Sequence, residues 1–294
     1  MEILQYEFMQ RALIAAVLVG LTAPTVGVHL VQRRLSLIGD GLGHVALAGV
    51  AIGVLTSNAP VVTALVSALA GAVSIELIRA RGRTSGDVAL AILFYGGIAA
   101  GVVIISQAPG GTPGNLNAYL FGAITTTTTG DLAVFTVLAG FVLTVTLGLG
   151  RYLFAVSYDE EYAAAAGLPV LAINILLAAV TAITVVVSMR VVGLLLISAL
   201  MIVPVATAQL VARSFRATTM LAVIVGVAVA LAGVSTSFYT DTPSGGTIVL
   251  FAIGVFIVAA IGTALRPKHP SAPSAAYEQP GLDPGRDVPT GSHS

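Results

Sequence analysis

The sequence predicts an all-α integral membrane protein of about nine transmembrane helices. Three observations predict it: charge is scarce, apolar runs recur at the length of a bilayer crossing, and arginines cluster after every second run. Of the 294 residues, 57% are hydrophobic and 9% charged, and the mean hydropathy is +1.00. A soluble domain carries about 25% charged residues, and a larger core would not remove the need to cover a water-facing surface. The formal net charge is zero, so no nucleic-acid partner is expected. The lack of cysteine excludes disulfides, thiolate metal sites and thiol catalysis. The opening MEILQYEF is acidic and leads to no small-residue cleavage site, so no cleavable signal peptide is expected.

A spanning helix needs roughly 20 apolar residues. Runs of that kind lie at 8–32, 36–57, 60–79, 86–107, 131–154, 168–189, 192–212, 217–238 and 246–266. SNAP (57–60), RARGRTSGD (79–87), QAPGGTPGN (107–115), ARSFRA (212–217) and TDTPSGG (240–246) separate them. The count falls to eight if the first or seventh segment is only partly inserted. Arg33 and Arg34 follow the first segment, and Arg79, Arg81 and Arg83 follow the third. Arg151 ends the fifth, Arg213 and Arg216 follow the seventh, and Arg266 and Lys268 follow the ninth. Every cluster falls after an odd-numbered segment. The positive-inside rule therefore gives a multi-pass protein of the cytoplasmic (inner) membrane, with its N-terminus outside and its C-terminus in the cytoplasm. Residues 1–266 form the membrane domain. Residues 267–294, rich in Pro, Ser and Gly, form a disordered cytoplasmic tail in which His269 and His293 are incidental.

Two connections are longer than hinges. The outer one, 108–131, holds an interfacial helix with Tyr119 and Phe121, and its threonine run 125–129 reads as a spacer. The inner one, AVSYDEEYAAAAGLPV (155–170), reads as a short separate helix lying along the cytoplasmic face. Ser157 and Glu160 form a capping box, and the acids at 159–161 suit the positive helix N-terminus. Four alanines then propagate the helix until Gly167 and Pro169 stop it.

Ionisable groups inside the bilayer cost several kcal/mol unless they face a partner or water. Asp40 and His44 are spaced i, i+4, which stacks their side chains on one helix face. At ~1.5 Å per residue they lie roughly 9 and 15 Å beyond Arg34. Two readings stand. In one, the pair locks helix packing, helped by the small-residue pairs Gly39/Gly43 and Gly49/Gly53. In the other it is a transient site for zinc, manganese or iron(II), which imidazole and carboxylate both suit. Of the remaining polar groups, His29 reads as packing or snorkelling, Glu76 with Arg79 as a boundary ion pair, and Asn174 as helix-packing glue. Arg190 is a solvated helix end or a pathway mouth, and Asp241 is a turn residue. No G-x-x-x-x-G-K-[ST] or H-E-x-x-H motif is present, so any ATP hydrolysis belongs to another chain.

Several stretches carry a family resemblance: FMQRALIAAVLVG (8–20), RRLSLIGDGLGHVALAGVAIG (33–53), NAYLFGAI (117–124), DEEYAAAAGLPV (159–170), RVVGLLLISALMIVPVATAQLVARSF (190–215) and DTPSGGTIVL (241–250). In this order the chain resembles the ABC-3 family of metal importer permeases, from about residue 5 to 266. The resemblance implies a type II ABC importer-like fold and a second permease copy, most simply as a homodimer. It also implies cytoplasmic ABC ATPase subunits and an extracytoplasmic metal-binding protein. No permanently bound cofactor is implied, only a transported zinc, manganese or iron ion. It gives Asp40 and His44 a role in the metal pathway, and it assigns contact with the ATPase to the short inner helix. There Tyr158, Asp159, Glu160, Glu161, Ala164, Gly167 and Leu168 are the coupling residues. The sequence departs from the family pattern at Gly43, where a serine is usual, and at His29, where the position is normally apolar. The alternatives are a channel or proton-coupled carrier using Asp40 and His44 as a relay, a metal-chelate permease, and a structural subunit that tolerates loss of both residues.

Overall fold

The computed structural model describes residues 5–82, 86–107, 116–122, 128–189, 191–194 and 196–265. Among these residues there are twelve α-helices and no strand. In chain order they are α1 (Glu7–Gln32), α2 (Ile38–Leu55), α3 (Pro60–Ala80), α4 (Gly86–Ser106), α5 (Leu116–Phe121) and α6 (Thr129–Gly148). There follow α7 (Gly150–Tyr158), α8 (Glu160–Ala165), α9 (Val170–Ser188), α10 (Ile197–Val211), α11 (Phe215–Thr240) and α12 (Ser244–Ala264). Arg83, Arg190, Arg266, most of the threonine run and the whole tail with its histidines lie outside the described residues.

Among the described residues, eight helices are long and apolar enough to cross a bilayer: α1, α2, α3, α4, α6, α9, α11 and α12. The seventh predicted segment differs. Its helix, α10, has 15 residues, or ~22 Å at ~1.5 Å per residue, against a hydrocarbon core of about 30 Å. It is preceded by a non-helical stretch whose Val191, Val192 and Leu194 are buried. Free backbone groups at such depth must find partners within the protein, and here two do. The Leu194 amide donates to the Tyr119 carbonyl of α5 at 2.9 Å. The Ser244 hydroxyl, at the start of α12, donates to the Val191 carbonyl at 2.7 Å. Gly193 turns the chain with φ +86°, in the left-handed region that a side chain disfavours, and it rests on the carbonyl of Leu120. So α5, expected as an interfacial helix, is docked on this turn with Tyr119 buried.

α1 is the most buried span, packed by α6, α9, α10 and α11. α2 is packed by α3, α4 and α9, so α9 and α10 join two lobes of the bundle. Lipid offers no hydrophobic drive for such contacts, and close packing of small residues substitutes for it. Gly49 and Gly53 lie against the backbone of α3 at Ala64 and Pro60, while Gly39 and Gly43 face Ser198 and the Leu194 carbonyl. These small-residue pairs therefore serve packing on two different sides of α2.

The fifth predicted segment ends early. Its helix stops at Gly148, and a new helix, α7, begins at Gly150 and carries Arg151. The threonine run is more than a spacer at its end. Thr128 caps α6, its hydroxyl accepting from the Asp131 amide while the Asp131 carboxylate accepts from the Thr128 amide, each at 3.1 Å.

Candidate metal pathway and coupling surface

The turn between α1 and α2 is not helical: Arg34 has φ +58°, and α2 begins only at Ile38. Asp40 is therefore in the first turn of α2, about 3 Å along the axis from its start, and His44 about 9 Å. The first turn is also where a helix dipole favours a carboxylate.

On this mostly buried helix, Asp40, His44 and Leu47 are only partly buried and form a half-covered strip at i, i+4, i+7. The His44 ring meets the Phe94 ring of α4 edge-on, with centroids 4.5 Å apart and planes at 76°. What brings Phe94 there is Gly97, one turn further along α4. A Cβ at Gly97 would stand 2.7 Å from both the His44 carbonyl carbon and the Val45 amide nitrogen. These are backbone atoms that cannot swing aside, so Gly97→Ala is expected to push α4 off α2 and cost about 1–3 kcal/mol. The neighbouring Gly96 faces open space, and Gly96→Ala is the matched control. Thermal unfolding of the two variants in detergent checks this, and equal melting temperatures would refute it.

Asp40 and His44 are brought onto one face, but no third donor joins them. Among the described residues no group of three or more His, Cys, Asp or Glu side chains could hold a metal ion. One chain thus offers two donors on a half-covered strip. That arrangement suits passage of an ion better than its retention.

The second predicted site is built differently from the sequence reading. Ser157 caps nothing: it lies inside α7 with its hydroxyl buried and unpartnered. The N-cap of α8 is Asp159, whose carboxylate accepts from the Tyr162 amide at 2.9 Å. The stop is as expected. The Leu168 amide bonds the Ala163 carbonyl and the Gly167 amide bonds Ala164, a Schellman closure that needs Gly167 at φ +80°. Tyr158, Glu161, Ala164 and Gly167 are exposed, and Leu168 is half-buried. The segment thus offers its tyrosines, Tyr158 and Tyr162, and its acids outward.

Glu160 does not face outward alone. One carboxylate oxygen accepts from the Arg33 guanidinium at 3.3 Å, and the other from the Asn174 amide at 2.9 Å. It ties α8 to the α1–α2 turn and to α9 together. Burial pushes the pKa of Arg33 down, and the carboxylates of Glu76 and Glu160 work against that. Glu76 is itself buried and bonded to Arg79 at 2.8 Å. Sequence reasoning treated Arg33 only as a topology signal and Asn174 only as packing glue. Both in fact hold the short helix, and no local pattern signals a partner 127 residues away. His29 is buried against Phe215, with ring centroids 5.3 Å apart.

A helical bundle with an Asp–His strip on one span and a tethered surface helix beside it is built as a membrane transport subunit. Residues 5–263 match the ABC 3 transport family, and the chain belongs to that family. It is a membrane permease subunit of an ABC transporter, whose ATP hydrolysis resides in a separate subunit. It is 33% identical over 258 residues to the manganese transport system membrane protein MntC of Halalkalibacterium halodurans, covering 88% of each chain. It is 31% identical over 262 residues to the chelated iron transport system membrane protein YfeD of Yersinia pestis, covering 89% of this chain and 88% of that one. Among solved structures it resembles a chain of PsaBC from Streptococcus pneumoniae in complex with Fab. That match has a TM-score of 0.78 and 30% identity, covering 87% of this chain and 92% of the other. Family membership sets aside the self-sufficient channel and the proton-coupled carrier.

Proposed function

We propose that this permease imports a divalent transition metal ion by alternating access, with Asp40 and His44 as the ligands the ion meets in passing. The observation that carries this reading is the Asp40–His44 pair on one face of α2, which its own chain covers only in part. Two donors per chain are too few to desolvate a divalent ion, and a second permease copy facing this strip supplies two more. Four imidazole and carboxylate donors with no thiolate bind manganese or iron(II) without trapping either. The relatives named for manganese and for chelated iron put those two metals ahead of zinc. An extracytoplasmic binding protein delivers the ion. A cytoplasmic ATPase docks on α8, where Tyr158, Glu161 and Ala164 present the contact surface around the Asp159 cap and the Gly167–Leu168 stop. The arginine-rich side is the cytoplasmic one, and the N-terminus lies outside.

The test is the metal content of cells with and without the protein, measured metal by metal, together with vanadate sensitivity of uptake. Manganese or iron is expected to fall selectively when the permease is absent, and uptake to stop with vanadate. An unchanged content of every transition metal would overturn the reading. YfeD raises the case of a metal chelate as cargo. Such cargo shields its ion from the protein, so transport would then persist without His44.

A further inference from the structure

On the flank away from α2, α6 and α11 both pack on α1 and leave a trench between them. It forms a cavity of about 860 Å³, within the size range of small-molecule sites. Its wall is apolar, with Leu21 on α1, Leu143 and Leu147 on α6, and Met220 and Ile224 on α11. Leu147, Met220 and Ile224 are exposed, so the trench opens on the outer surface of the bundle at membrane depth. The threonines that line it, Thr25, Thr146 and Thr219, are satisfied by carbonyls one turn back in their own helices. They ask nothing of a ligand.

The polar demand is confined to one end. Arg151 at the start of α7 and Arg216 in the first turn of α11 line that end, and neither has a carboxylate partner among the described residues. Beside them, His29 is 4% exposed, lines the same cavity, and has its Nδ1 buried with no hydrogen-bond partner. From His29 to Leu21 the trench runs eight residues along α1, or ~12 Å. That approaches the ~15 Å depth of one leaflet's hydrocarbon.

We propose that this trench binds an anionic phospholipid of the leaflet on the α8 side. Its phosphodiester sits between Arg151 and Arg216 at the N-terminus of α11, and an acyl chain lies along α1. His29 Nδ1, when it carries the ring proton, donates to a phosphate or ester oxygen. Charge complementarity selects the occupant. A protein helix would satisfy the apolar wall but not two unpaired arginines and a buried imidazole, whereas a zwitterionic lipid places its own cation beside them. Each arginine at a membrane surface favours an anionic headgroup by about 1 kcal/mol, so the pair gives a roughly thirtyfold preference in occupancy.

The chain has no tryptophan, so a single one placed in the trench reports alone. Met220→Trp puts it on the wall, and Ile224→Trp serves should the first variant misfold. Val258→Trp on α12, which is 72% exposed, reports bulk lipid. Each full-length variant is reconstituted in phosphatidylcholine vesicles carrying increasing brominated phosphatidylglycerol, or brominated phosphatidylcholine instead. The trench reporters are expected to be quenched at a far lower fraction of phosphatidylglycerol than of phosphatidylcholine, and the α12 reporter equally by both. Adding Arg151→Gln and Arg216→Gln together should abolish the preference, and inorganic phosphate should not relieve the quenching. Equal quenching by both lipids in the trench, a preference that survives loss of both arginines, or displacement by inorganic phosphate would each overturn the proposal.

Discussion

Uptake of the transported metal is expected to fall by at least about tenfold in Asp40→Asn and in His44→Gln, the loss that removal of even an outer-shell partner can cause at a metal site. Both substitutions keep the size of the side chain and its hydrogen-bonding capacity. Packing around the strip survives, and the variants should still co-purify with the ATPase. The double variant should be no worse than the more damaged single one, since residues that act as a unit do not add. Radiolabelled manganese or iron uptake in vesicles, with ATPase content measured alongside, checks each point. Wild-type uptake in both single variants would remove the pair from the pathway. Loss of assembly together with loss of uptake would return them to the packing role.

The second large effect concerns coupling rather than passage. In Glu160→Ala, α8 loses its bond to Asn174, and the buried Arg33 keeps only Glu76 as a counter-charge. The helix remains, because its cap is Asp159 and its stop is Gly167. What is lost is its attachment to the α1–α2 turn and to α9. The expected result is a complex that still hydrolyses ATP but moves roughly five- to tenfold less metal per ATP, at the lower end of coupling energies between sites. Glu160→Gln keeps the Asn174 bond and removes only the charge, so it should fall between. An unchanged ratio of metal to ATP in Glu160→Ala would show that this tie carries no coupling.

The spans were legible because hydropathy is a local property. A run such as 217–238 declares itself without reference to any neighbour, and α11 covers it at Phe215–Thr240. The pairing of Asp40 with His44 was legible for the same reason, since i, i+4 spacing in a helix fixes a shared face. What was not legible depends on partners far along the chain. Ser157 has the right spacing to Glu160 for a cap, yet Asp159 wins because the chain breaks there and Glu160 is drawn to Arg33 and Asn174. The left-handed turn at Arg34, which delays the start of α2 to Ile38, has no local signal in the sequence either. Gly97 looks like any membrane glycine until its close approach to the backbone of α2 is seen.

The short helix α10 has a consequence for how the chain is made. A 15-residue helix preceded by a buried non-helical stretch cannot pass alone from the insertion machinery into lipid, since its open backbone would enter hydrocarbon unpaired. The carbonyl of Val191 and the amide of Leu194 are bonded to Ser244 and Tyr119, and Ser244 lies 53 residues further along the chain from Val191. Biosynthesis must therefore bring α12 into place before residues 191–194 can settle. The topology of this protein is completed by folding within the membrane, after the ribosome has released most of its spans.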